Sequence, residues 1–323
     1  MNNKKAFEMS FSWMFAIIAG AAILFLAIYA TSRFIETGRT EIDAQIATKL
    51  AILLDPLETS LESGRSSSLS FSSRTRIYND KCKVSGNFGN QQIGIASSSS
   101  LGKKWQAAVY GKKQYNKYIF SQNTEEGKEL SVFTLLFKMP FKISDLIILV
   151  GGEYCFVQAP EEIEDELEDL NIKGVNFTQT KSDCSKNSKK VCFSSSGCDI
   201  SVYGDDYEFK SGYVSKESKK LYYVRGVDDV DSLIYAALFS SPEVYECNVK
   251  RLMSRLVNLC AIHKDKIEIL EKKECSSTLD THLTELSTLA GNLKSSQGLA
   301  DVKDEADEID NINEAATCKL YES

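Results

Sequence analysis

The stretch that decides the architecture is residues 9–32, MSFSWMFAIIAGAAILFLAIYATS, which contains no charged side chain over 24 positions. A helix of about 20 apolar residues is long enough to cross the hydrocarbon core of a bilayer. Trp13 and Tyr29 lie near the two ends of the run, where amphipathic rings favour the membrane interface. The sequence therefore predicts a single transmembrane helix, and its predicted partner is the lipid bilayer.

Two other interpretations of this run are a buried core helix and a cleaved secretory signal peptide. A core helix that is apolar on every side would be unusual at an N-terminus. Signal peptides have apolar regions of about 7–15 residues, which is shorter than this run. The small residues Ala30, Thr31 and Ser32 keep cleavage as an alternative, because they resemble a processing box. We expect the helix to be retained as an anchor.

The residues before the run, Lys4, Lys5 and Ala6, form a basic pair followed by a small residue. This start resembles the class III signal of archaeal and bacterial type IV pilin-like proteins. The resemblance covers about the first 30 residues. It implies signal processing after Ala6, and a mature helix that is first a membrane anchor and later a filament core. Phe11 occupies the fifth mature position, where that family usually carries glutamate.

The nine cysteines all follow the apolar run, and this placement predicts the side of the membrane on which the chain lies. Such a number is high for a reducing cytosol and ordinary for an oxidising exterior. We therefore expect a cytoplasmic N-terminus and an extracytoplasmic bulk. Asn176 begins an Asn-Phe-Thr sequon, a glycosylation signal that suits that side. The formal net charge of −7, without a basic stripe, argues against nucleic acid as a partner.

The cysteine spacing favours disulfides over a metal site. No Cys-x-x-Cys motif occurs, and the histidines are only His263 and His282. Structural zinc sites use closely spaced ligand pairs, so neither zinc nor another cofactor is predicted. An odd number of cysteines leaves one unpaired, and we expect this to be Cys260, which lies on an apolar helical stripe. Local pairing is predicted among Cys184, Cys192 and Cys198, with Cys192 bonded to Cys184 or to Cys198.

The sequence predicts an α+β protein in four regions. Residues 1–32 are the N-terminal segment and anchor, and 33–64 form an amphipathic helical stalk. Residues 65–226 form a mixed α+β ectodomain, and 227–323 form an antiparallel helical bundle. The stalk prediction depends on apolar residues at helical spacing between Ile42 and Leu61.

Short β-prone stretches fill the middle region. Strands are predicted at 70–78, 92–96, 105–110, 118–121, 133–141, 145–150, 154–157, 175–177, 190–193, 199–203 and 221–225. Pro140 limits pairing in the fifth of these. Pro160 and the acids after it predict a helix reaching Leu170, because proline and negative charge both favour a helix N-terminus.

The last region is predicted to be almost wholly helical. Ser241 and Pro242 mark the start of a long helix that reaches about Lys272, and two shorter helices follow. The first helix rises by roughly 45 Å, and the other two descend and re-ascend by roughly 25 Å each. Antiparallel packing would return the chain end to the first turn, so Cys318 is predicted to pair with Cys275.

No local motif identifies catalytic residues, so we predict that the protein is not an enzyme. The sequence lacks Gly-x-Ser-x-Gly, His-Glu-x-x-His and a phosphate-binding glycine loop. The first hypothesis is a structural or adhesive surface protein, pilin-like in its anchor, that self-assembles. The alternatives are a tethered binding ectodomain with a membrane-protein partner and an extracytoplasmic thiol-dependent enzyme.

Overall fold

The structure is a computed structural model that describes residues 13–31, 66–98, 105–204, 210–225 and 232–322. Helix α1, Trp13–Thr31, is the first element. The predicted stalk at 33–64 lies outside the described residues. Two mixed sheets and several helices follow α1, which confirms the α+β class and the apolar N-terminal helix.

Twelve strands and five helices follow α1 in the part of the chain that the structure describes. The strands are β1 (Ser66–Lys83), β2 (Asn90–Ser97), β3 (Val109–Tyr110), β4 (Tyr118–Phe120), β5 (Thr124–Lys138), β6 (Lys142–Val150), β7 (Tyr154–Val157), β8 (Val175–Thr178), β9 (Lys189–Phe193), β10 (Ile200–Gly204), β11 (Ser211–Lys216) and β12 (Lys219–Val224). The helices are α2 (Glu161–Asp169), α3 (Ser232–Phe239), α4 (Pro242–Glu271), α5 (Asp280–Gly291) and α6 (Leu299–Ala315).

The first sheet has the strand order β3-β2-β1-β5-β6-β4, and side-chain hydrogen bonds connect β2 to β4 at its far edge. The Gln91 side chain bonds both backbone groups of Ile119 in β4, accepting from its N–H at 3.1 Å and donating to its C=O at 2.8 Å. A side-chain amide thus replaces a backbone partner and closes the sheet. Aliphatic residues fill one face, among them Ile77, Ile95 and Val132. The second half of β6, residues 146–150, is an unbroken apolar run because both of its faces are buried.

The second sheet has the order β12-β11-β10-β9-β7-β8. Strands β8, β7, β9 and β10 are parallel, whereas β10, β11 and β12 form an antiparallel meander. Side chains alternate between two faces along each strand. Val202, Val214 and Tyr223 face a buried core, and the opposite face of the antiparallel strands is polar and partly exposed at Tyr203, Tyr213 and Tyr222.

One large apolar core joins both sheets to the C-terminal helices. Helix α3 is apolar on every side, and all eight of its residues are buried, as expected for a helix without a polar face. Helix α5 runs back along α4, since Lys264 of α4 bonds Thr284 near the start of α5 and Gly291 at its end lies against Val257. The C-terminal helices therefore pack against the sheets and also against one another.

Most predicted elements are present, with different boundaries. Helix α4 begins at Pro242 as predicted. The stretch at 105–110 contributes only Val109–Tyr110 as a strand, and the stretch at 133–141 is the second half of β5, which ends at Lys138, before Pro140. Strand β11 was not predicted, because its serines, glycine and C-terminal lysine lack the apolar run of a strand.

Candidate functional site

Helix α1 exposes apolar surface that the rest of the described chain does not cover. It has 19 residues with a mean hydropathy of 2.3, and none of its most apolar window is buried. Every residue except Ala19 is exposed. A helix of this length spans about 28 Å, close to the hydrocarbon thickness of a bilayer at roughly 30 Å. The helix therefore has the dimensions of a membrane anchor or a signal sequence.

Four disulfides cross-link the part of the chain that follows α1. They join Cys82 to Cys247, Cys155 to Cys184, Cys192 to Cys198 and Cys275 to Cys318. The pair Cys275–Cys318 is the one predicted from the helix lengths. Cys192 pairs with Cys198, one of the two partners predicted for it. Four disulfides in one chain suit an oxidising extracellular space.

Cys260 is the free cysteine, and its environment makes it unreactive. Its side chain is buried in α4, and this burial raises the pKa of the Cys260 thiol to about 12. Because the thiolate is the nucleophilic form of cysteine, a buried, protonated thiol is a poor catalytic group.

Arg251 is a buried side chain whose hydrogen-bonding groups are all used within the protein. It is wholly buried, and its N–H groups reach six oxygen acceptors: the carbonyls of Phe88, Gln114, Tyr115 and Lys117 and the side chains of Gln91 and Asn248. Burial lowers the pKa of Arg251 to about 10. No donor remains for a ligand, so this arginine fixes two loops of the first sheet against α4.

A second buried cluster lies where the two sheets meet α3. The Lys216 ammonium donates to the carbonyls of Ala237, Leu238 and Ser240, at the C-terminal end of that helix, where cations are favoured. Burial raises the pKa of Glu125 to about 7, although the nearby Lys189 ammonium opposes this. Burial lowers the pKa of Lys216 to about 7.

Perturbed pKa values of this kind mark candidate acid–base catalysts. The three carbonyls already use the donors of Lys216, and Glu125 is 4 % exposed while it accepts the Gln122 N–H at 3.3 Å. Glu125 and Lys216 are therefore two buried titratable groups at the contact between the sheets and α3, and the donors of Lys216 are already used by protein carbonyls.

The polar face of the second sheet carries a row of three tyrosines, which we call the tyrosine row. Tyr203, Tyr213 and Tyr222 are direct cross-strand neighbours on β10, β11 and β12. The rings of Tyr203 and Tyr213 stack at 4.9 Å, and those of Tyr213 and Tyr222 are 5.7 Å apart. All three are half-buried. Aromatic side chains with a polar tip are typical of recognition surfaces.

Gly212 and Lys220 shape the tyrosine row. A Cβ at Gly212 would collide with the carbonyl oxygen of Tyr203, so only glycine permits the close approach of β10 and β11 at this point. The Lys220 ammonium lies 4.2 Å from the centre of the Tyr213 ring, a cation–π contact. The surface therefore presents phenol groups and one positive charge on a rigid backbone.

The predicted site residues are scattered over the molecule. Asn176 is exposed on β8, whereas Lys4, Lys5 and Ala6 lie outside the described residues. No cluster of metal-ligating side chains occurs in the described ranges. His263 contacts the rings of Phe141 and Tyr321, which also contact each other.

Sequence reasoning missed Arg251, Glu125 and Lys216. The sequence carries a signal only for Arg251, because Asn248 and Arg251 interrupt the apolar stripe on the buried face of α4. Comparison with models of known protein families, with curated protein sequences and with solved structures found no match.

Proposed function

We propose that this protein is a membrane-tethered, extracytoplasmic binding domain. Helix α1 holds the chain in the bilayer, and the disulfide-stapled α+β region recognises a partner through the tyrosine row. The observation that carries the proposal is the exposure of α1, whose apolar residues are not covered by the rest of the described chain. Leaving that apolar surface in water would be costly at about 25 cal/mol per Å², so the helix needs lipid around it.

Cysteine labelling in intact cells tests the topology. Lys112 is exposed on the first sheet, and Lys5 precedes the anchor. Lys112→Cys should react with a membrane-impermeant maleimide in intact cells. The matched variant Lys5→Cys should react only after permeabilisation. The reverse pattern would show that the domain faces the cytoplasm and would overturn the proposal.

Site-specific photo-crosslinking in native membranes tests the binding role. A photoreactive amino acid in place of Tyr213 should give a discrete adduct with a partner. The same group in place of Lys273, which is exposed beyond the end of α4, should not give it. A chain that forms no adduct at Tyr213 and purifies as a solitary monomer would exclude the tyrosine row as a docking surface.

A pilin-like role is the second candidate function. It is supported by the basic–small start at Lys4, Lys5 and Ala6 and by the exposed apolar surface of α1, which neighbouring copies would bury in a filament. N-terminal sequencing of the mature protein tests it. A chain that begins at Phe7 supports processing, whereas one that retains residues 1–6 refutes it.

The thiol-dependent enzyme has the least support, because Cys260 is buried and protonated. A functional loss in Cys260→Ala, with stability unchanged, would restore that alternative.

A further inference from the structure

The edge of the second sheet at β8 has unused backbone groups. In the described residues β8 pairs only with β7, through contacts such as Tyr154 N–H to the Gly174 carbonyl and Gln158 N–H to the Thr178 carbonyl. Successive residues of a strand turn their N–H and C=O to opposite sides. Val175 and Phe177 therefore direct theirs away from β7, and no described residue bonds them.

The opposite edge of the same sheet is closed. At β12, the Ser296 hydroxyl accepts the Tyr222 N–H at 3.0 Å, and the Tyr245 hydroxyl donates to the Tyr222 carbonyl. Unpaired edges invite the addition of another strand, and proteins usually cover or blunt them. One edge is thus covered by the chain's own residues, and the other is left available.

A groove of about 460 Å³ runs between α2 and the open edge. Leu167, Val175 and Phe177 supply apolar lining, and Glu164 and Glu168 lie one helical turn apart on its wall. Neither glutamate forms an ion pair with a described residue. A chain that enters this groove would meet backbone partners on one side and two uncompensated negative charges on the other.

We propose that this edge and groove, the β8 groove, bind an extended basic segment of a partner protein as an added strand. Backbone hydrogen bonds to Val175 and Phe177 would hold the segment, and its Lys or Arg side chains would pair with Glu164 and Glu168. This mode is known as β-augmentation. Charge argues against a second copy of this chain, because pairing β8 with itself would bring two acidic α2 helices together. The inference deepens the proposed binding role and rests on it, at a site distinct from the tyrosine row.

Peptide binding to the purified full-length protein in detergent tests the proposal. The probe is a short fluorescent peptide in which lysine and valine alternate, and its anisotropy reports binding. Glu164→Gln/Glu168→Gln should weaken binding by about threefold to tenfold and reduce its dependence on salt. The matched variant Glu161→Gln/Asp165→Asn alters exposed acids elsewhere on α2 and should bind like the wild type.

Two further measurements separate strand addition from non-specific charge attraction. A peptide of the same sequence with alternate backbone amides N-methylated should bind at least tenfold more weakly, since it lacks the donors. Bound peptide should also slow hydrogen exchange at Val175 and Phe177, while Tyr222 is unaffected. Equal binding of the methylated peptide, or unchanged exchange at β8, would overturn the proposal.

Two other outcomes would assign the groove to another occupant. A glycan found on Asn176 in all of the native protein would fill the groove and overturn the proposal. A dimer that is lost in Val175→Pro would assign it to a second copy. A failed peptide test with a Tyr213 adduct still present would reject the β8 groove alone and leave the proposed function standing.

Discussion

The two sheets differ in where their polar side chains lie: Gln91 is buried in the first sheet, whereas the tyrosine row of the second is partly exposed. The first sheet closes on itself through side-chain amides, and the buried Arg251 ties its loops to α4. The second sheet buries both faces of β7 but leaves one face of β11 and β12 partly exposed. It leaves the tyrosine row half-buried and one edge open, and its two disulfides each join residues close in sequence. Under the proposed function, the first sheet would supply stability and the second would supply the surface for recognition.

The largest expected effect concerns the disulfide that ties the first sheet to α4. Cys82 and Cys247 are separated by 165 residues, so the bond removes much entropy from the unfolded chain. Cys82→Ala/Cys247→Ala should lower the free energy of unfolding by about 5 kcal/mol, measured by urea denaturation.

The matched variant removes a short-range disulfide of the second sheet. Cys192 and Cys198 are only 6 residues apart, and Cys192→Ala/Cys198→Ala should cost about 2 kcal/mol by the same reasoning. Equal losses for the two pairs would contradict the view that the first sheet is the stabilised region.

The next effect comes from the buried arginine. Arg251→Met removes the donor for six acceptors and leaves several buried carbonyls without a partner. The free energy of unfolding should fall by roughly 3–5 kcal/mol. Arg255→Met, one turn further along α4 and partly exposed, should cost clearly less. If both variants lose the same stability, the closure of the first sheet does not depend on the Arg251 contacts.

A smaller effect is expected at the joint between the sheets, where Glu125 should make stability depend on pH. Its folded pKa of about 7 lies above the ordinary value of 4.5, so folding takes up a proton between these values. Glu125 should therefore contribute a loss of about 3 kcal/mol to the free energy of unfolding as the pH rises through this window, whereas His263, whose pKa burial lowers to about 4, contributes in the opposite direction in wild type and variants alike.

Urea denaturation across that pH range, with wild type and variants in parallel, isolates the contribution of this carboxyl group. The Glu125 contribution is the difference between wild type and Glu125→Gln, because glutamine cannot ionise, and this difference should reach about 3 kcal/mol across the window. Glu126→Gln, which alters the neighbouring carboxylate paired with Arg76, should follow the wild-type pH profile. If Glu125→Gln also follows the wild-type profile, the Glu125 carboxyl group does not make stability depend on pH.

The sequence predicts those parts of the fold whose signal is local. The apolar run at 9–32, the start of α4 at Pro242 and the buried strand β6 each have such a signal. Strand β11 has no such local signal. Its Lys216 is polar, and it is buried because it donates to C-terminal carbonyls of α3, a separate element. Likewise, nothing local relates Cys82 to Cys247. The tyrosine row depends on the register of three strands, which alternation alone does not fix.

The smallest effect tests the exposed face of the second sheet. Among the described residues, Tyr213 makes ring contacts only with its neighbours in the tyrosine row and with Lys220. Tyr213→Ala should therefore lower the free energy of unfolding by about 1 kcal/mol. Val214→Ala, the next residue of β11 on the buried face, should cost at least twice as much, because it leaves a cavity in the core. If Tyr213→Ala were as costly, the tyrosine row would be part of the structural core, and the distinction between a stabilising first sheet and a recognising second sheet would fail.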